Sequence, residues 1–209
     1  MNTIWFFGDS FSEGYNTHYQ WVRNYISHKG YTPKHFTQIM ANHYKYRIGN
    51  FAVGGIDNNA ILDSIINNLN HIKKNDIVSV QWTNINRFRL ASQEHEVIYS
   101  TEILNVDKVL KNVDIDKDCL YKLAINRQDN GLFINEINNW SKLLKYTFKQ
   151  QRLVVWSPFP EYSVCSNIFN EGTWENEMTI DRETESLVQD HHYGEDGNKT
   201  ISKILLDLI

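Results

Sequence analysis

Short apolar runs alternate with longer amphipathic segments along most of the chain. The runs are rich in β-branched and aromatic residues, are bounded by turn residues, and are each short enough for a strand; they cover residues 3–7, 46–52, 76–82 and 152–156. Their apolar character is continuous rather than alternating, which is typical of strands that are buried on both faces of a parallel sheet.

The segments between and after these runs have the apolar spacing of helices. They cover residues 33–43, 58–72, 132–150 and 198–208. In the second of them, Ile61, Ile65 and Leu69 lie four positions apart and would share one helix face. The alternation of strand and helix predicts an α/β sandwich.

The length and regularity of the chain predict one domain with an insertion. Domains usually have about 50 to 250 residues, and the chain has 209. Residues 86–130 are the least regular segment, and we expect them to form short helices and loops over the edge of the sheet, because a loop this long without structure is unusual. A second irregular segment, 157–181, is rich in aromatic residues and is a candidate wall of a substrate cleft.

Charge and cysteine content narrow the classes of function. The sequence has 21 Lys and Arg residues against 25 Asp and Glu residues, a formal net charge of -4, and no block of like charge. A nucleic-acid partner is therefore not expected, because such proteins carry a basic patch. The cysteines, Cys119 and Cys165, fit neither a zinc site nor a disulfide framework, so we expect free thiols.

The sequence shows no targeting or membrane segment. Its first residues lack the charged and apolar stretches of a signal peptide, and no run reaches the roughly 18 apolar residues that a membrane span requires. These features predict a cytoplasmic protein that does not bind a membrane, although a phage component or a protein exported by another route would look the same. The oligomeric state is left open.

Candidate catalytic residues follow the predicted strands. In an open α/β sheet, ligands bind beyond the carboxyl ends of the strands. The first strand is followed by a Gly-Asp-Ser sequence that ends at Ser10, whose hydroxyl would point into the crevice. Gly54 and Gly55 follow the second strand and permit close backbone approach to a ligand. Asn84 follows the third strand, where its amide can donate a hydrogen bond to an oxyanion.

A candidate base and carboxylate lie near the C-terminus. Serine is a weak nucleophile unless a base accepts its proton, and the base works best when a third group fixes its tautomer. Asp190 and His192 lie two positions apart in a predicted loop before the last helix. This spacing lets the carboxylate contact imidazole Nδ1 while Nε2 faces Ser10. The pattern predicts a hydrolase with these three catalytic residues.

These segments resemble the SGNH, or GDSL-type, hydrolase family over nearly the whole chain. The Gly-Asp-Ser sequence matches the first block of the family, residues 50–55 resemble the second, and the last is marked by Gly197 five positions after His192. The resemblance implies a flavodoxin-like three-layer α/β/α fold. The members of this family are esterases, lipases, carbohydrate deacetylases and some O-acetyltransferases. It also implies that Ser10 is the nucleophile and that its own backbone N–H, with Gly55 and Asn84, forms the oxyanion hole.

The third block departs from the family pattern. The family usually has Gly-x-Asn-Asp, whereas this chain has Trp82, Thr83, Asn84 and Ile85. The asparagine is kept and both of its characteristic neighbours are lost. Asn84 is the predicted oxyanion donor, and Asn86 is the alternative.

The last block departs at the carboxylate. The usual position, three residues before the histidine, holds Gln189. Asp190 is the nearest acid, so either it completes a triad or the enzyme works with a serine and histidine dyad. His191 is an alternative base.

Aromatic residues near the predicted site are candidates for substrate contacts. Trp82 follows the third strand and Tyr193 lies beside the predicted base, and we expect both to contact substrate, with a structural role as an equal alternative for Tyr193. Tyr162 is a further candidate for stacking on a sugar. Trp5 and Trp156 lie inside predicted strands, where packing in the core is expected.

We predict neither a metal nor a cofactor. The segment 114–118 resembles the start of a calcium loop, but Cys119 occupies the position of the required glycine and Ile125 that of the closing glutamate. The histidines and acids at 191–196 match no compact metal site.

Three functions are consistent with these residues. The leading hypothesis is a serine esterase that hydrolyses small O-acyl esters, most plausibly O-acetyl groups on a carbohydrate. An O-acyltransferase would use the same acyl-enzyme with a sugar hydroxyl in place of water. A glycan-binding or assembly module with weak catalysis is the third, because a fold alone does not establish function.

Overall fold

A computed structural model describes residues 1–85, 87–91, 97–100, 118, 122, 131–159, 162, 166–167, 178–180, 187–189 and 192–209. The described strands are β1 Thr3–Phe7, β2 Arg47–Asn50, β3 Ile77–Gln81, β4 Phe88–Ala91, β5 Val97–Ser100, β6 Arg152–Ser157, β7 Ser166–Asn167, β8 Met178–Ile180 and β9 Leu187–Gln189.

Five of these strands form one parallel sheet. Its order is β2-β1-β3-β6-β7, and each neighbouring pair is parallel. Numbered along the chain within the sheet, this order is 2-1-3-4-5, which is the flavodoxin-like order. The predicted parallel sheet of this type is confirmed.

The described helices are α1 Ser10–Glu13, α2 Gln20–Lys29, α3 Phe36–Tyr44, α4 Asn58–Asn68, α5 Leu132–Thr147 and α6 Glu195–Leu208. Each of the four predicted helical segments overlaps one of them, α3, α4, α5 and α6, with boundaries that differ by a few residues. α4 begins where the Asp57 side chain caps the N–H of Ala60 at 2.8 Å. α2 ends at Gly30, which has the left-handed φ of 76° that favours glycine. In the described part of the chain, none of the helices combines the length and the apolar character that a membrane span requires.

The helices cover both faces of the sheet. Ile4 and Phe6 of β1 point to one face, where buried residues of α3 and α6 pack against them. Phe7 points to the other face together with Val78 and Val80 of β3, and α4 and α5 cover that side. Side chains alternate between the faces of a strand, so each central strand contributes to two apolar cores. The predicted three-layer α/β/α sandwich is confirmed.

The structure has several elements that were not predicted: α1, α2, β4, β5, β7, β8 and β9. α2 was not among the predicted helices, although Val22 and Tyr25 are buried three positions apart. β4 and β5 form an antiparallel pair near the start of segment 86–130, where we expected short helices and loops. The β-branched and aromatic residues of 97–99 favour a strand. Most of the remaining residues of that segment lie outside the described residues.

Candidate active site

The carboxyl ends of β1, β2 and β3 lie side by side. The three strands are adjacent and parallel, and they end at Phe7, Asn50 and Gln81. The turns that follow them therefore open onto one edge of the sheet. These turns contain the predicted nucleophile, Ser10, and two further predicted oxyanion residues, Gly55 and Asn84.

Ser10 and His192 form a hydrogen-bonded pair at this edge. Ser10 is half-buried as the first residue of α1, and Asp9 caps the helix by accepting a hydrogen bond from the N–H of Phe11 at 3.0 Å. His192 Nε2 lies 2.9 Å from Ser10 Oγ. A neutral imidazole with an unprotonated Nε2 accepts the hydroxyl hydrogen at this distance. The two side chains thus have the geometry of a nucleophile and its general base.

Aromatic packing holds the His192 ring. Phe11 stacks on the imidazole with a centroid distance of 5.0 Å and an interplanar angle of 28°. Tyr193 packs edge-on against Phe11 at 5.4 Å. Tyr193 is buried, and its burial, with a smaller contribution from the charge of Asp9, raises the pKa of its phenol well above the usual value. Tyr193 is therefore neutral, and it lines the narrow cavity beside Ser10 and His192, where its contact with substrate stays a prediction.

Asn198 fixes the backbone between His192 and α6. Its Nδ2 donates to the carbonyls of Tyr193 at 2.9 Å and Gly194 at 2.8 Å, and its Oδ1 accepts from the N–H of Phe36 at 2.9 Å. The amide is fully buried, so these bonds satisfy groups that water cannot reach. The sequence analysis did not identify Asn198; the signal was a polar residue among the apolar positions of the last helix.

The third member of the predicted triad is not placed. Asp190 and the alternative base His191 lie outside the described residues, and Gln189 is described as the last residue of β9. The assignment of Asp190 as the orienting carboxylate stays a prediction.

The turn after β2 lies against the turn after β1. The N–H of Phe51 donates to the carbonyl of Phe6 at 2.8 Å, and that of Val53 donates to the carbonyl of Gly8 at 3.1 Å. Gly55 has a φ of 81°, in the left-handed region that favours glycine. The backbone that leads to Gly55 is thus hydrogen-bonded directly to the backbone that leads to Ser10.

In the turn after β3, side chains form hydrogen bonds with both the backbone N–H and the carbonyl of Thr83. Asn58 accepts from the Thr83 N–H at 2.8 Å and donates to its carbonyl at 3.1 Å, and the Tyr162 hydroxyl donates to the same carbonyl at 2.6 Å. Asn84, half-buried, follows directly. The alternative donor, Asn86, lies outside the described residues.

A buried network joins this turn to the nucleophile helix. Asp9 is 0% exposed, and its Oδ2 pairs with Arg87 Nη1 at 2.7 Å and accepts a short hydrogen bond from the Thr83 hydroxyl. Its Oδ1 accepts from Gln81 Nε2 at 2.7 Å. Buried charges need such partners. The sequence analysis missed this network, although Gln81 was its signal, since a polar residue in a buried apolar run requires a partner.

The predicted substrate contact of Trp82 is corrected by its position. Trp82 is 0% exposed, its Nε1 donates to the Ser141 hydroxyl at 2.8 Å, and its ring packs against Trp140. Trp82 continues the alternation of Val78 and Val80, which points its indole into the core between the sheet and α5. Tyr162 is likewise fully buried, so stacking on a sugar is excluded in this arrangement.

Two adjoining cavities lie along α1, and Ser10 lines the narrow one. The narrow one is lined by Ser10, Phe11, Gly14, Tyr15, His35, His192 and Tyr193. The wider one has a volume of about 380 Å³ and shares Gly14, Tyr15 and His35 with the first. Its other walls carry amides, hydroxyls and the carboxylate of Glu13, and among the described residues that line it none is a lysine or arginine.

His35 is a buried structural histidine between the two cavities. Its Nε2 lies 3.1 Å from the Phe11 carbonyl, and its Nδ1 lies 3.0 Å from the Thr37 hydroxyl. Burial lowers the pKa of His35 to about 4, opposed by its bond to Phe11 and helped by the nearby His192. The neutral ring donates from Nε2 to the Phe11 carbonyl and so supports α1.

Within the described residues, no group of three or more His, Cys, Asp or Glu side chains is arranged to hold a metal ion.

Comparisons with known proteins give structural likenesses only. No protein-family model and no curated protein matches the chain. Among solved structures, a protein assigned as a GDSL-like lipase from Parabacteroides merdae ATCC 43184 is similar over 99% of this chain and 73% of its own, with 10% identity and a TM-score of 0.37. A protein assigned to the lipolytic G-D-S-L family from Desulfitobacterium hafniense DCB-2 is similar over 100% of both chains, with 10% identity and a TM-score of 0.42. An extracellular lipase from Streptomyces rimosus is similar over 100% of this chain and 73% of its own, with 14% identity and a TM-score of 0.39. At such identities and TM-scores, an assignment of activity has to rest on the site itself.

Proposed function

We propose that the protein is a serine esterase that hydrolyses small O-acyl esters, with O-acetyl groups on a carbohydrate as the substrate class. The observation that carries the proposal is the 2.9 Å hydrogen bond between Ser10 Oγ and His192 Nε2 at the carboxyl edge of a parallel sheet. A serine hydroxyl next to an imidazole at a ligand-binding edge is the arrangement that acyl transfer requires.

In the first half of the reaction, Ser10 Oγ attacks the ester carbonyl carbon while His192 Nε2 accepts the hydroxyl proton. The carbonyl oxygen becomes an oxyanion, which the backbone N–H groups of Ser10 and Gly55 and the side-chain amide of Asn84 stabilise. The bond to the alcohol oxygen then breaks, and His192 returns the proton to the leaving alcohol. An acyl group remains on Ser10.

In the second half, water attacks the acyl-enzyme. His192 Nε2 accepts a proton from the water, the same donors stabilise the second oxyanion, and His192 protonates Ser10 Oγ as the carboxylic acid leaves. The stacked Phe11 ring limits the rotation of the imidazole, so one ring nitrogen serves both steps.

The two cavities support the choice of substrate. The narrow cavity beside Ser10 has a volume of about 10 Å³ between aromatic walls from Phe11, Tyr15 and Tyr193, so it leaves no room for a long acyl chain. The wider cavity is within the usual range for a small-molecule site, and its amide and hydroxyl walls suit a polyhydroxylated alcohol. Because none of its described lining residues is a lysine or arginine, a neutral sugar fits better than an anion.

Hydrolysis of p-nitrophenyl acetate and butyrate tests this proposal. We expect the parent chain to release nitrophenol, with acetate preferred, and Ser10→Ala to be inactive while circular dichroism shows that it is folded. Asn84→Ala should lower turnover by about 10² to 10³, the usual effect of removing one oxyanion donor. Near-normal turnover of this variant would remove Asn84 from the mechanism.

Two further measurements distinguish the esterase from the alternative functions. Acyl transfer to an added glycan that outpaces hydrolysis would replace the esterase by an O-acyltransferase. Glycan binding that is unaffected by Ser10→Ala, with no ester turnover, would favour a binding module.

A further inference from the structure

We infer that Glu13 is a positioning residue for this reaction, because its carboxylate holds the Gly54–Gly55 turn in the conformation that presents the Gly55 N–H to the oxyanion. The inference rests on the proposed function. Glu13 is the last residue of α1, the helix that begins with Ser10, so one short helix would carry both the nucleophile and the support for an oxyanion donor.

The carboxylate of Glu13 is a shared acceptor at this turn. Oε2 accepts from the N–H of Gly54 at 2.7 Å, and Oε1 accepts from Asn16 Nδ2 at 2.6 Å. The Tyr19 hydroxyl also bonds to Glu13, and burial, followed by the charge of Glu13 and this bond, raises the pKa of Tyr19. Hydrogen bonds to an ionised acceptor are short and strong, so the turn is fixed to α1 by a strong contact.

The fit around Gly54 shows that the turn is packed directly onto this carboxylate. A Cβ at Gly54 would lie 2.8 Å from Glu13 Oε2 and 2.7 Å from the Tyr19 hydroxyl. Both distances are too short for a carbon atom, so a side chain at Gly54 requires the ends of the Glu13 and Tyr19 side chains to move away from the turn. Gly54 links the bonded N–H to the peptide unit that carries the Gly55 N–H, so holding the first limits the motion of the second.

A second contact keeps α1 and the end of β2 in register. Asn50 Nδ2 donates to the carbonyls of Ser12 at 2.8 Å and Glu13 at 3.1 Å, and its Oδ1 accepts from the N–H of Ala52 at 3.1 Å. The Glu13 backbone is thus fixed independently of its side chain. A change confined to the carboxylate should therefore disturb the turn and leave the helix in place.

Glu13 also lines the wider cavity, so contact with substrate is the competing explanation. An ester without N–H or O–H groups separates the two, because it offers a carboxylate no hydrogen to accept. p-Nitrophenyl acetate is such an ester. An effect of Glu13 on its turnover would act through the turn.

The test is the kinetics of Glu13→Gln with p-nitrophenyl acetate. Glutamine keeps the shape but replaces one acceptor oxygen by a donor, which faces either Gly54 or Asn16. We expect kcat to fall by about 10- to 100-fold, the range for one hydrogen bond to a charged group, with KM within about twofold of the parent. Asp207→Asn is the matched control, since it makes the same chemical change at an exposed carboxylate on α6 and should leave both constants unchanged.

Gly54→Ala provides a second variant that breaks the same contact from the other side. If the contact acts as one unit, the double variant Glu13→Gln with Gly54→Ala should lose little more activity than either single variant. Additive losses, or a Glu13→Gln enzyme with parental kcat beside an inactive Ser10→Ala, would overturn the inference.

Amide exchange separates this inference from the proposed function. In ¹⁵N-labelled protein, Glu13→Gln should speed hydrogen exchange at the Gly54 amide by roughly tenfold or more, with amides of α6 unchanged. Unchanged exchange at Gly54 would overturn the inference even in an active enzyme. An inactive parent in which the Gly54 amide does respond would refute the esterase and, with it, the oxyanion role of the turn, while showing that the contact itself exists.

Discussion

The turns after β2 and β3 are held by opposite physical means. The Gly54–Gly55 turn donates a hydrogen bond from the Gly54 N–H to the half-buried carboxylate of Glu13, which is partly accessible to solvent. The Thr83–Asn84 turn is held by Asp9, which is 0% exposed and is satisfied only by protein donors. Both turns are attached to α1, but the contact at Glu13 is partly exposed to solvent and the contact at Asp9 is fully buried.

We expect this difference in exposure to separate effects on the stability of the fold from effects on the local conformation of a turn. A buried carboxylate that loses a donor leaves an uncompensated charge, so the β3 turn is bound to the fold as a whole. A half-buried carboxylate can exchange a lost donor for water, so the β2 turn can change locally at little cost to the fold. We therefore expect variants at Asp9 to change stability, and variants at Glu13 to change activity.

Asp9→Asn should give the largest effect on stability. All the groups around this carboxylate are donors, from Gln81, Thr83, Arg87 and Phe11. The asparagine amide would place a donor against donors and leave Arg87 unpaired, so the free energy of unfolding should fall by about 3 to 5 kcal/mol. Urea unfolding measures this, with Glu13→Gln expected to lose less than about 1 kcal/mol in the same experiment.

Arg87→Met keeps this prediction testable if the asparagine variant does not fold. It leaves Asp9 with its neutral donors and should cost about 1 to 3 kcal/mol. The two changes remove the same pair, so their double variant should lose less than the sum. A loss below about 1 kcal/mol in Asp9→Asn would show that the network is not a stability element.

The sheet and the contact between Ser10 and His192 could be predicted because each depends on local pattern and topology. Continuous apolar runs mark buried parallel strands, and the carboxyl ends of such strands meet at one edge. This reasoning brought Ser10 and His192 together across 182 positions, and the structure places them in hydrogen-bond contact.

The supports of the site could not be predicted in the same way. Glu13 and Arg87 act through partners that are distant in sequence, and an isolated carboxylate or guanidinium shows no pattern. Trp82 was open to prediction, because it follows Val78 and Val80 at a spacing of two and so shares their buried face. Its role was misjudged because its place after a strand was weighed above this alternation.

Protonation of the buried His35 should destabilise the fold, because it places a charge in the core and turns Nδ1, which accepts from Thr37, into a donor. Burial lowers its pKa from 6.5 to about 4. Between these values the unfolded chain binds a proton that the folded protein excludes, so stability is full above pH 6.5 and is lost as the pH falls to 4. The loss from this residue should be about 3 kcal/mol.

Urea unfolding at pH 7, 5.5 and 4 measures this loss, with His35→Gln as the control. Glutamine can donate to the Phe11 carbonyl but cannot be protonated in this range. Its stability should therefore fall less steeply than that of the parent, since only the titratable groups common to both proteins contribute. Parallel curves would show that His35 does not set the acid sensitivity.

The smallest effect should come from Tyr19→Phe, which removes one donor from Glu13 and leaves those of Gly54 and Asn16. The lost bond lies at a half-buried, water-accessible carboxylate, so stability should fall by only about 0.5 kcal/mol, the lower end for one hydrogen bond, and kcat by less than about tenfold. The exposed Tyr146→Phe on α5 is the matched control and should change neither.

The pKa of Tyr19, followed by NMR of ring-labelled tyrosine, should be lower in Glu13→Gln than in the parent, because the negative charge that raises it is gone. A Tyr19→Phe variant that loses as much activity as Glu13→Gln would mean that the hydroxyl, rather than the Gly54 contact, sets the turn, and the contrast between a partly exposed and a fully buried contact would have to be redrawn around Tyr19.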